Sequence, residues 1–246
     1  MNQFKKVSLL PTILFFLLSP FAQSQQPQST SVALINNGQY ALLYRIHIIR
    51  AAQKTIDIQT FNWTADESGN AFMQACVEAA QRGVKVRFLM DHLFSDHDLD
   101  TAVALIRTSP NFQIRRYRPA DNRLASGLRR STLHTLRAFR KRNQRMHNKI
   151  IVVDGRIAIL GGRNIANQYF DQSEKANYLD RDVLLTGPLI PELAESFQVY
   201  WDYKRSIPLE ELKDVAKLLE KSKAPEWTNP NPAFQEKLNT HYDSEK

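Results

Sequence analysis

The chain has 246 residues, 33 Lys and Arg against 25 Asp and Glu, a formal net charge of +8, and one cysteine, Cys76. A single cysteine excludes an internal disulfide, and the apolar helix pattern around Cys76 predicts a small, buried side chain. The excess of positive charge favours a polyanionic partner, either anionic lipid or nucleic acid.

Residues 1–24 have the pattern of a secretory signal peptide. Lys5 and Lys6 form a basic start, an apolar run covers residues 7–21, and Ala-Gln-Ser at 22–24 has the small-x-small spacing of a cleavage site. The apolar run is shorter than the about twenty residues of a membrane-spanning helix. We therefore expect cleavage and export to the periplasm, a membrane surface or the medium. Loss of the two lysines lowers the net charge from +8 to +6 (8 − 2).

The next elements predict one α/β domain over residues 36–208, for which about 220 residues are long enough. Residues 25–35, which begin rich in Gln and Ser, are expected to be a linker. Helix patterns cover residues 38–53, 70–81 and 99–107, the first capped by Asn37, and strand patterns cover 55–63, 84–90 and 112–117. The alternation of strand and helix predicts a βαβ unit with a parallel pair.

The segment Met90 to Asp100 contains two histidines and four aspartates, which admits a metal site. A strand-end loop followed by an Asp-capped helix explains the same residues. We predict no metal and no cofactor. The loop is expected to line the rim of the site, because ligands collect at the carboxyl ends of parallel strands.

Positive charge is concentrated between Arg115 and Lys149, where twelve Lys and Arg residues accompany one acid, Asp121. Interleaved leucines favour an interfacial segment that contacts an anionic membrane surface. A nucleic-acid groove and a merely solvated helix are the alternatives. The candidate contacts are Arg129, Arg130, Arg140 and Arg142.

Residues 145–164, RMHNKIIVVDGRIAILGGRN, have the densest chemistry of the chain. Side chains two apart in a strand share a face, so His147 and Lys149 are expected to project together. Asp154 and Gly155 predict a two-residue turn into a second strand over residues 156–160.

A glycine-rich bend ends this predicted hairpin. Gly161 and Gly162 would let an anion approach the backbone, and Asn164 would return toward His147 and Lys149. A strand at 182–186 and an amphipathic helix at 189–203 complete the domain. The predicted fold is a mixed, mostly parallel sheet covered by helices on both faces. Residues 209–246 are expected to form a C-terminal helix, over 209–221, and a mobile tail.

This set of residues suits attack on a phosphate ester. Neutral imidazole can attack phosphorus to give a phosphohistidine, while Lys149 and Asn164 hold the non-bridging oxygens. A nucleophilic histidine also needs an acceptor on its second ring nitrogen, and Asp180 or Asp182 are candidates. In the alternative interpretation, His147 is an ordinary strand histidine, Lys149 a solvated lysine and Asp154 only a turn former. The fixed offsets of Gly161, Gly162 and Asn164 disfavour it.

The same residues resemble the HxKxxxxD and GG/GSxN signature, the HKD motif, of the phospholipase D superfamily. RMHNK, TGP at 186–188 and ESFQVYW at 195–201 are most similar to the amino-terminal half of bacterial C-type cardiolipin synthases. The resemblance spans about residues 36–209 and implies a phospholipase D-like fold. It implies that His147 is the nucleophile and that Lys149, Gly162 and Asn164 bind phosphate. It further implies that Asp154 is a mainly structural acid and that Asp180 orients the histidine.

The resemblance implies a phosphodiesterase that hydrolyses or transfers phosphatidyl groups of phospholipids. An exported nonspecific endonuclease and a catalytically silent half that binds anionic lipid are the alternatives. Long relatives have two HKD motifs, and this sequence has one. None of the other histidines, at 47, 92, 97, 134 and 241, has a matching lysine context. We therefore expect a homodimer, or a second HKD-containing chain, to complete the site.

Overall fold

The computed structural model describes residues 29–91, 99–119, 122–124, 145–221 and 225–244. Within these ranges, eight strands form one sheet: β1 (Ser31–Ile35), β2 (Thr55–Thr60), β3 (Lys85–Asp91), β4 (Phe112–Tyr117), β5 (Ile150–Val153), β6 (Ile157–Gly161), β7 (Asp182–Thr186) and β8 (Ser206–Pro208). Six α-helices accompany them: α1 (Gly38–Ala51), α2 (Glu67–Gln81), α3 (Leu99–Thr108), α4 (Ile190–Trp201), α5 (Lys213–Leu219) and α6 (Pro232–Ser244).

The strand order of the sheet is β1-β7-β6-β5-β2-β3-β4-β8. Only β2–β3 and β3–β4 are parallel pairs, and the remaining pairs are antiparallel. The predicted α/β class and mixed sheet are confirmed, but the sheet is mostly antiparallel instead of mostly parallel. Parallel neighbours need a long crossover, and the connections through α2 and α3 supply it between adjacent strands, whereas the short turn between β5 and β6 requires antiparallel pairing.

Helices cover both faces of the sheet, as predicted. Ile56 and Ile58 of β2 are buried in the main core, on the side where α1 and α2 pack. The opposite face carries Val152 and Ala158, which pack against Ile190 of α4. Both faces are apolar because the central strands are buried on each side.

The starts of the first two helices are fixed by caps. The Asn37 side chain accepts a hydrogen bond from the Tyr40 N–H (2.9 Å), which confirms the predicted cap of α1. Asp66 accepts one from the Gly69 N–H (2.9 Å), and this cap starts α2 at Glu67, three residues before the predicted position. Cys76 of α2 is fully buried, as predicted, and burial raises the pKa of its thiol.

The expected linker at residues 25–35 is wrong over its second half. Ser31–Ile35 forms the edge strand β1, which pairs antiparallel with β7. Polar composition upstream obscured the short alternating run, and the backbone of β7 supplies the hydrogen-bond partners that stabilise this strand.

The described residues after 208 pack on the domain. Leu209, Leu212 and Val215 belong to the predicted helix at 209–221 and are fully buried in the main core, and the structure forms α5 over Lys213–Leu219. Beyond them, in the expected mobile tail, helix α6 contacts α1 and α2, and the Trp227 indole N–H donates to Gln74 Oε1 of α2 (2.9 Å). The described residues 209–221 and 225–244 therefore belong to the folded domain, and the expectation of a mobile tail is wrong for residues 225–244.

No helix within the described ranges is long and apolar enough to cross a membrane. Several sequence-based expectations lie outside those ranges. They are the signal peptide at 1–24, the two histidines of the Met90 to Asp100 segment, and the candidate contacts Arg129, Arg130, Arg140 and Arg142.

Candidate active site

His147 and Lys149 lie in extended backbone just before β5, and their predicted proximity is confirmed. The Lys149 ammonium is 3.2 Å from His147 Nδ1 and donates to the His147 carbonyl oxygen (2.8 Å). Phe61, just after β2, contacts both, with its ring centroid 4.7 Å from that of the imidazole and 5.3 Å from Lys149 Nζ. His147 is exposed while Lys149 is 8% exposed. A solvent-facing imidazole thus rests on a largely buried cation.

The surroundings of this pair favour a neutral imidazole. Partial desolvation and the Lys149 charge lower the pKa of His147, while the Asp91 carboxylate opposes them. Burial also lowers the pKa of Lys149, and Asp180 opposes that shift. At neutral pH the imidazole has the lone pair that a nucleophile needs.

Asn164 is connected to the His147 and Lys149 pair through the end of β2. Its side chain is buried, and its Oδ1 accepts from the backbone N–H of Asn62, the residue after Phe61 (3.1 Å). Its Nδ2 donates to the Tyr169 hydroxyl (2.8 Å). Two hydrogen bonds therefore fix the amide group, and one of its two N–H bonds has no acceptor among the hydrogen bonds of the described residues.

The two glycines of the bend make room for carboxylates. A Cβ on Gly161 would overlap the Asp182 carboxylate and the Arg181 carbonyl, and one on Gly162 would overlap the Asp180 carboxylate. The Gly161 N–H donates to the Lys149 carbonyl (3.2 Å). Gly162, predicted to bind phosphate, instead allows Asp180 to approach, and an anion there would repel a phosphate.

The structure separates the two candidate acids. Asp182 is fully buried and forms ion pairs with Arg45 (2.9 Å) and Arg163 (3.2 Å). It therefore neutralises a buried pair of arginines and is not available to His147. Asp180 is partly buried, and its charge acts on Lys149. Within the described residues no hydrogen bond joins Asp180 to His147, so its orienting role stays a prediction.

Asp154 lies at the turn end of β5, at the opposite end from Lys149. Its carboxylate accepts hydrogen bonds from the backbone N–H groups of Gln53 (2.9 Å), Lys54 (2.7 Å) and Thr55 (2.8 Å). It holds the hairpin against the start of β2, which fits the mainly structural role that the resemblance implies. The turn has three residues between the paired Val153 and Ile157, one more than predicted.

Asp91 fixes the segment just before β5 that carries His147. The sequence pattern did not predict this role. At the end of β3, its carboxylate accepts from Arg145 Nε (3.0 Å) and from the Met146 N–H (3.2 Å). The sequence pattern placed Asp91 in a candidate metal segment. Its partners lie 54 and 55 positions further along the chain, so local spacing does not indicate the contact.

Part of the basic segment supports the fold instead of contacting a partner. Arg116 is fully buried and donates to the Leu124 carbonyl (3.1 Å). Arg115 donates to the Trp201 carbonyl (2.7 Å) and stacks on its ring. Arg145, in the same segment, pairs with Asp91. These three arginines therefore contact the protein itself and are not candidates for contact with a polyanion.

Sequence comparison finds a matching family model and similar proteins. The family model described as "Cardiolipin synthase, PLD-like domain" matches residues 45–201. The sequence is 34% identical over 192 residues to cardiolipin synthase C of Escherichia coli, covering 78% of this chain and 39% of that protein. It is 35% identical over 229 residues to an uncharacterized protein of Helicobacter pylori, covering 89% of this chain and 44% of that one. The chain thus spans less than half the length of these relatives.

Solved structures show the same fold at lower identity. Nuc from Salmonella typhimurium, a phospholipase D family member, is similar with a TM-score of 0.50 at 18% identity, covering 73% of this chain and 98% of that one. Phosphatidylserine synthase of Haemophilus influenzae gives a TM-score of 0.53 at 18% identity, covering 87% and 43%. Because the family model matches most of the domain, including the residues around His147, the chain belongs to the phospholipase D-like family of cardiolipin synthases.

Proposed function

We propose that this chain is a phospholipase D-type phosphodiesterase that hydrolyses or transfers phosphatidyl groups through a phosphohistidine at His147. The observation that carries the proposal is the exposed imidazole held 3.2 Å from the Lys149 ammonium. Nucleophilic attack on a phosphodiester needs a neutral base beside a fixed positive charge, and this pair supplies both.

The first step forms a bond between a ring nitrogen and phosphorus and breaks the bond from phosphorus to the leaving alkoxide. Lys149 and the free N–H of Asn164 stabilise the charge that builds on the non-bridging oxygens. In the resting site the ammonium donates to Nδ1. A bound phosphate draws the ammonium toward itself, which frees Nδ1 to hold the ring proton and donate to a carboxylate. We assign that acceptor to Asp180, which stands where the resemblance implies an orienting acid and whose charge reaches the neighbouring Lys149.

An acid protonates the alkoxide as it leaves in the first step. In the second step the same group deprotonates water or an alcohol, whose oxygen forms a bond to phosphorus as the bond from phosphorus to His147 breaks. Imidazole suits both tasks because its pKa is near neutrality. His147 of a second copy, or the histidine of another HKD-containing chain, supplies this group in the proposal.

Phospholipid is the favoured substrate because the similarity to cardiolipin synthase C extends over 78% of the chain. The interleaved leucines and arginines between Arg115 and Lys149 suit an anionic membrane surface, and the export proposed from the pattern of residues 1–24 would bring the protein to one. Nucleic acid is the second candidate substrate, because its backbone has the same phosphodiester bond and its phosphates would suit the basic segment between Arg115 and Lys149.

The experiment compares the full chain, His147→Ala and Asn148→Ala. Asn148 is exposed in the same segment and serves as the matched control. We expect the full chain and the control to release headgroup from phosphatidylglycerol or cardiolipin vesicles, and His147→Ala to be inactive. The trapped intermediate should show a phosphatidyl group on His147 by mass spectrometry.

Three results would contradict the proposal in different ways. Activity of His147→Ala within about tenfold of the full chain would remove the nucleophile assignment, since loss of a covalent nucleophile costs far more. Nicking of plasmid in EDTA without lipid turnover would favour the nuclease. Vesicle binding with no cleavage of either substrate would favour a catalytically silent half.

A further inference from the structure

The hydroxyl of Tyr169 lies on the same amide group that the substrate phosphate would use. Asn164 Nδ2 donates to Tyr169 Oη at 2.8 Å, so the phenol oxygen acts as the acceptor in this bond. A phenol that accepts still has its own O–H to donate. In the hydrogen bonds of the described residues, this hydroxyl occurs only as an acceptor.

Tyr169 is fixed at several points, so its hydroxyl is preorganised. Its ring packs on Tyr178, with the centroids 4.9 Å apart. Its carbonyl accepts from Arg163 Nε (2.9 Å), and Arg163 is in turn buried against Asp182. Its own N–H donates to the Ala166 carbonyl (3.0 Å). A donor held this firmly needs little reorganisation when a ligand binds.

The position of the hydroxyl suits an oxygen of the same phosphate. Asn164 Oδ1 is occupied by the Asn62 N–H, so an anion meets Nδ2. Two acceptors on one amide nitrogen lie about 5 Å apart. A second oxygen of the phosphate, together with one O–H···O bond, spans that gap.

We propose that Tyr169 is a further phosphate-binding residue, whose O–H donates to a non-bridging oxygen beside the N–H of Asn164. The inference rests on the proposed phosphodiesterase function and adds a neutral donor to Lys149 and Asn164. Because the phenol is neutral, it adds a hydrogen bond to the developing charge without adding a second cation beside Lys149.

The test uses two matched substitutions in the full chain, Tyr169→Phe and Tyr178→Phe. Both keep the two rings in contact, and only the first removes a hydroxyl bonded to Asn164. On bis(p-nitrophenyl) phosphate we expect Tyr169→Phe to lower kcat by about tenfold to a hundredfold, as for loss of one transition-state donor. Tyr178→Phe should stay within about twofold of the parent. Equal kcat for Tyr169→Phe and the parent would overturn the proposal.

A second measurement separates direct contact from an effect exerted through Asn164. Tyr169→Phe is compared in the parent and in Asn164→Ala. A direct donor lowers kcat in both backgrounds, whereas a group that only positions the amide lowers it in the parent alone. The latter result would overturn the assignment.

Binding of orthovanadate, measured by calorimetry, provides a readout that needs no turnover. Tyr169→Phe should weaken vanadate binding, and Tyr178→Phe should not. Weaker binding in a chain that cleaves no phosphodiester would refute the proposed function while supporting the Tyr169 site. Unchanged vanadate affinity would overturn the Tyr169 site even in an active enzyme.

Discussion

The proposed reaction needs His147 neutral and Lys149 protonated, and the surroundings of the two side chains favour both states. The imidazole must be neutral to attack, and the ammonium must be protonated to stabilise the phosphate. Burial and mutual repulsion lower the pKa of His147, which favours the first requirement. The charge of Asp180 opposes the lowering of the Lys149 pKa by burial, which favours the protonated ammonium.

These shifts predict the shape of the pH profile. Activity needs neutral His147, so kcat/KM should rise with pH through a pKa below the usual 6.5 of histidine. The acid that protonates the leaving alkoxide and Lys149 must both carry their protons, so activity should fall at alkaline pH, through the pKa of that acid and no later than a Lys149 pKa below the usual 10.5 of lysine. The kcat/KM of the full chain on a soluble phosphodiester, measured from acid to alkaline pH, tests both limbs.

Replacement of the lysine tests the origin of the histidine shift. Removal of a like charge should raise the pKa of His147 in Lys149→Met, measured by NMR titration of the ring. Lys175→Met, at an exposed lysine of another loop, is the control and should leave it unchanged. A fall in the His147 pKa in Lys149→Met would show that the assigned repulsion is absent.

Gly161 and Gly162 should respond differently to alanine. At Gly161 the new Cβ meets the backbone of Arg181 and Asp182, so β6 and β7 would have to move apart. At Gly162 it meets only the Asp180 side chain, which is partly exposed and can rotate. We expect Gly161→Ala to lower the free energy of unfolding by about 1–3 kcal/mol. Gly162→Ala should mainly lower kcat.

Denaturant unfolding and kcat measured on both variants test this difference. A stable, active Gly161→Ala would show that β7 accommodates the methyl group. Full activity of Gly162→Ala would show that the position of Asp180 does not matter for the reaction.

At the scale of elements, the β5–β6 hairpin is held to β2 by one side chain. Asp154, with a positive φ of 52°, accepts three backbone hydrogen bonds from residues 53–55. Such an anchor fixes the register between β5 and β2, and β5 in turn positions Lys149. Asp154 therefore acts on the site indirectly, from the end of β5 opposite Lys149.

Removal of the Asp154 carboxylate should affect the free energy of unfolding more than kcat. We expect Asp154→Ala to lower the free energy of unfolding by about 2–4 kcal/mol, because three charge-assisted bonds are lost and alanine disfavours positive φ. Asp154→Asn keeps one oxygen, which accepts from Lys54 and Thr55, and should restore part of the loss. Denaturant unfolding measures both. A large fall in kcat of folded Asp154→Asn would show that Asp154 takes part in catalysis.

At the scale of the whole molecule, the described domain presents one exposed nucleophile and no second histidine in its immediate contacts. A two-fold dimer would place one His147 opposite another, with one acting as nucleophile and its mate as acid and base. This geometry predicts that activity belongs to the dimer and that the isolated monomer is inert.

Subunit mixing tests this prediction. Excess His147→Ala added under exchange conditions should lower the activity of the parent chain, because mixed dimers lack one histidine. Excess Asn148→Ala is the control and should leave it undiminished. A preparation shown by light scattering to be monomeric at assay concentration, and active at full rate, would contradict the shared site.

Local patterns were sufficient for much of the fold and for the first part of the site. The strand at Phe112–Tyr117, the cap at Asn37 and the contact between His147 and Lys149 depend on residues close in sequence. Spacing alone therefore predicts them. The motif also has fixed offsets, so the order of its residues is enough to indicate the family.

The tertiary structure decided the properties that depend on partners distant in the chain. Asp180 and Asp182 are equivalent by spacing, but Arg45, 137 residues away, takes Asp182 into a buried ion pair. The edge strand β1 and the packed helix α6 likewise depend on β7, α1 and α2 as neighbours. Sequence by itself determined the contact between His147 and Lys149 and the family, because the residues that carry both lie close together in the chain. Only folding determined which acid is free, because burial and long-range pairing are set by the assembled core.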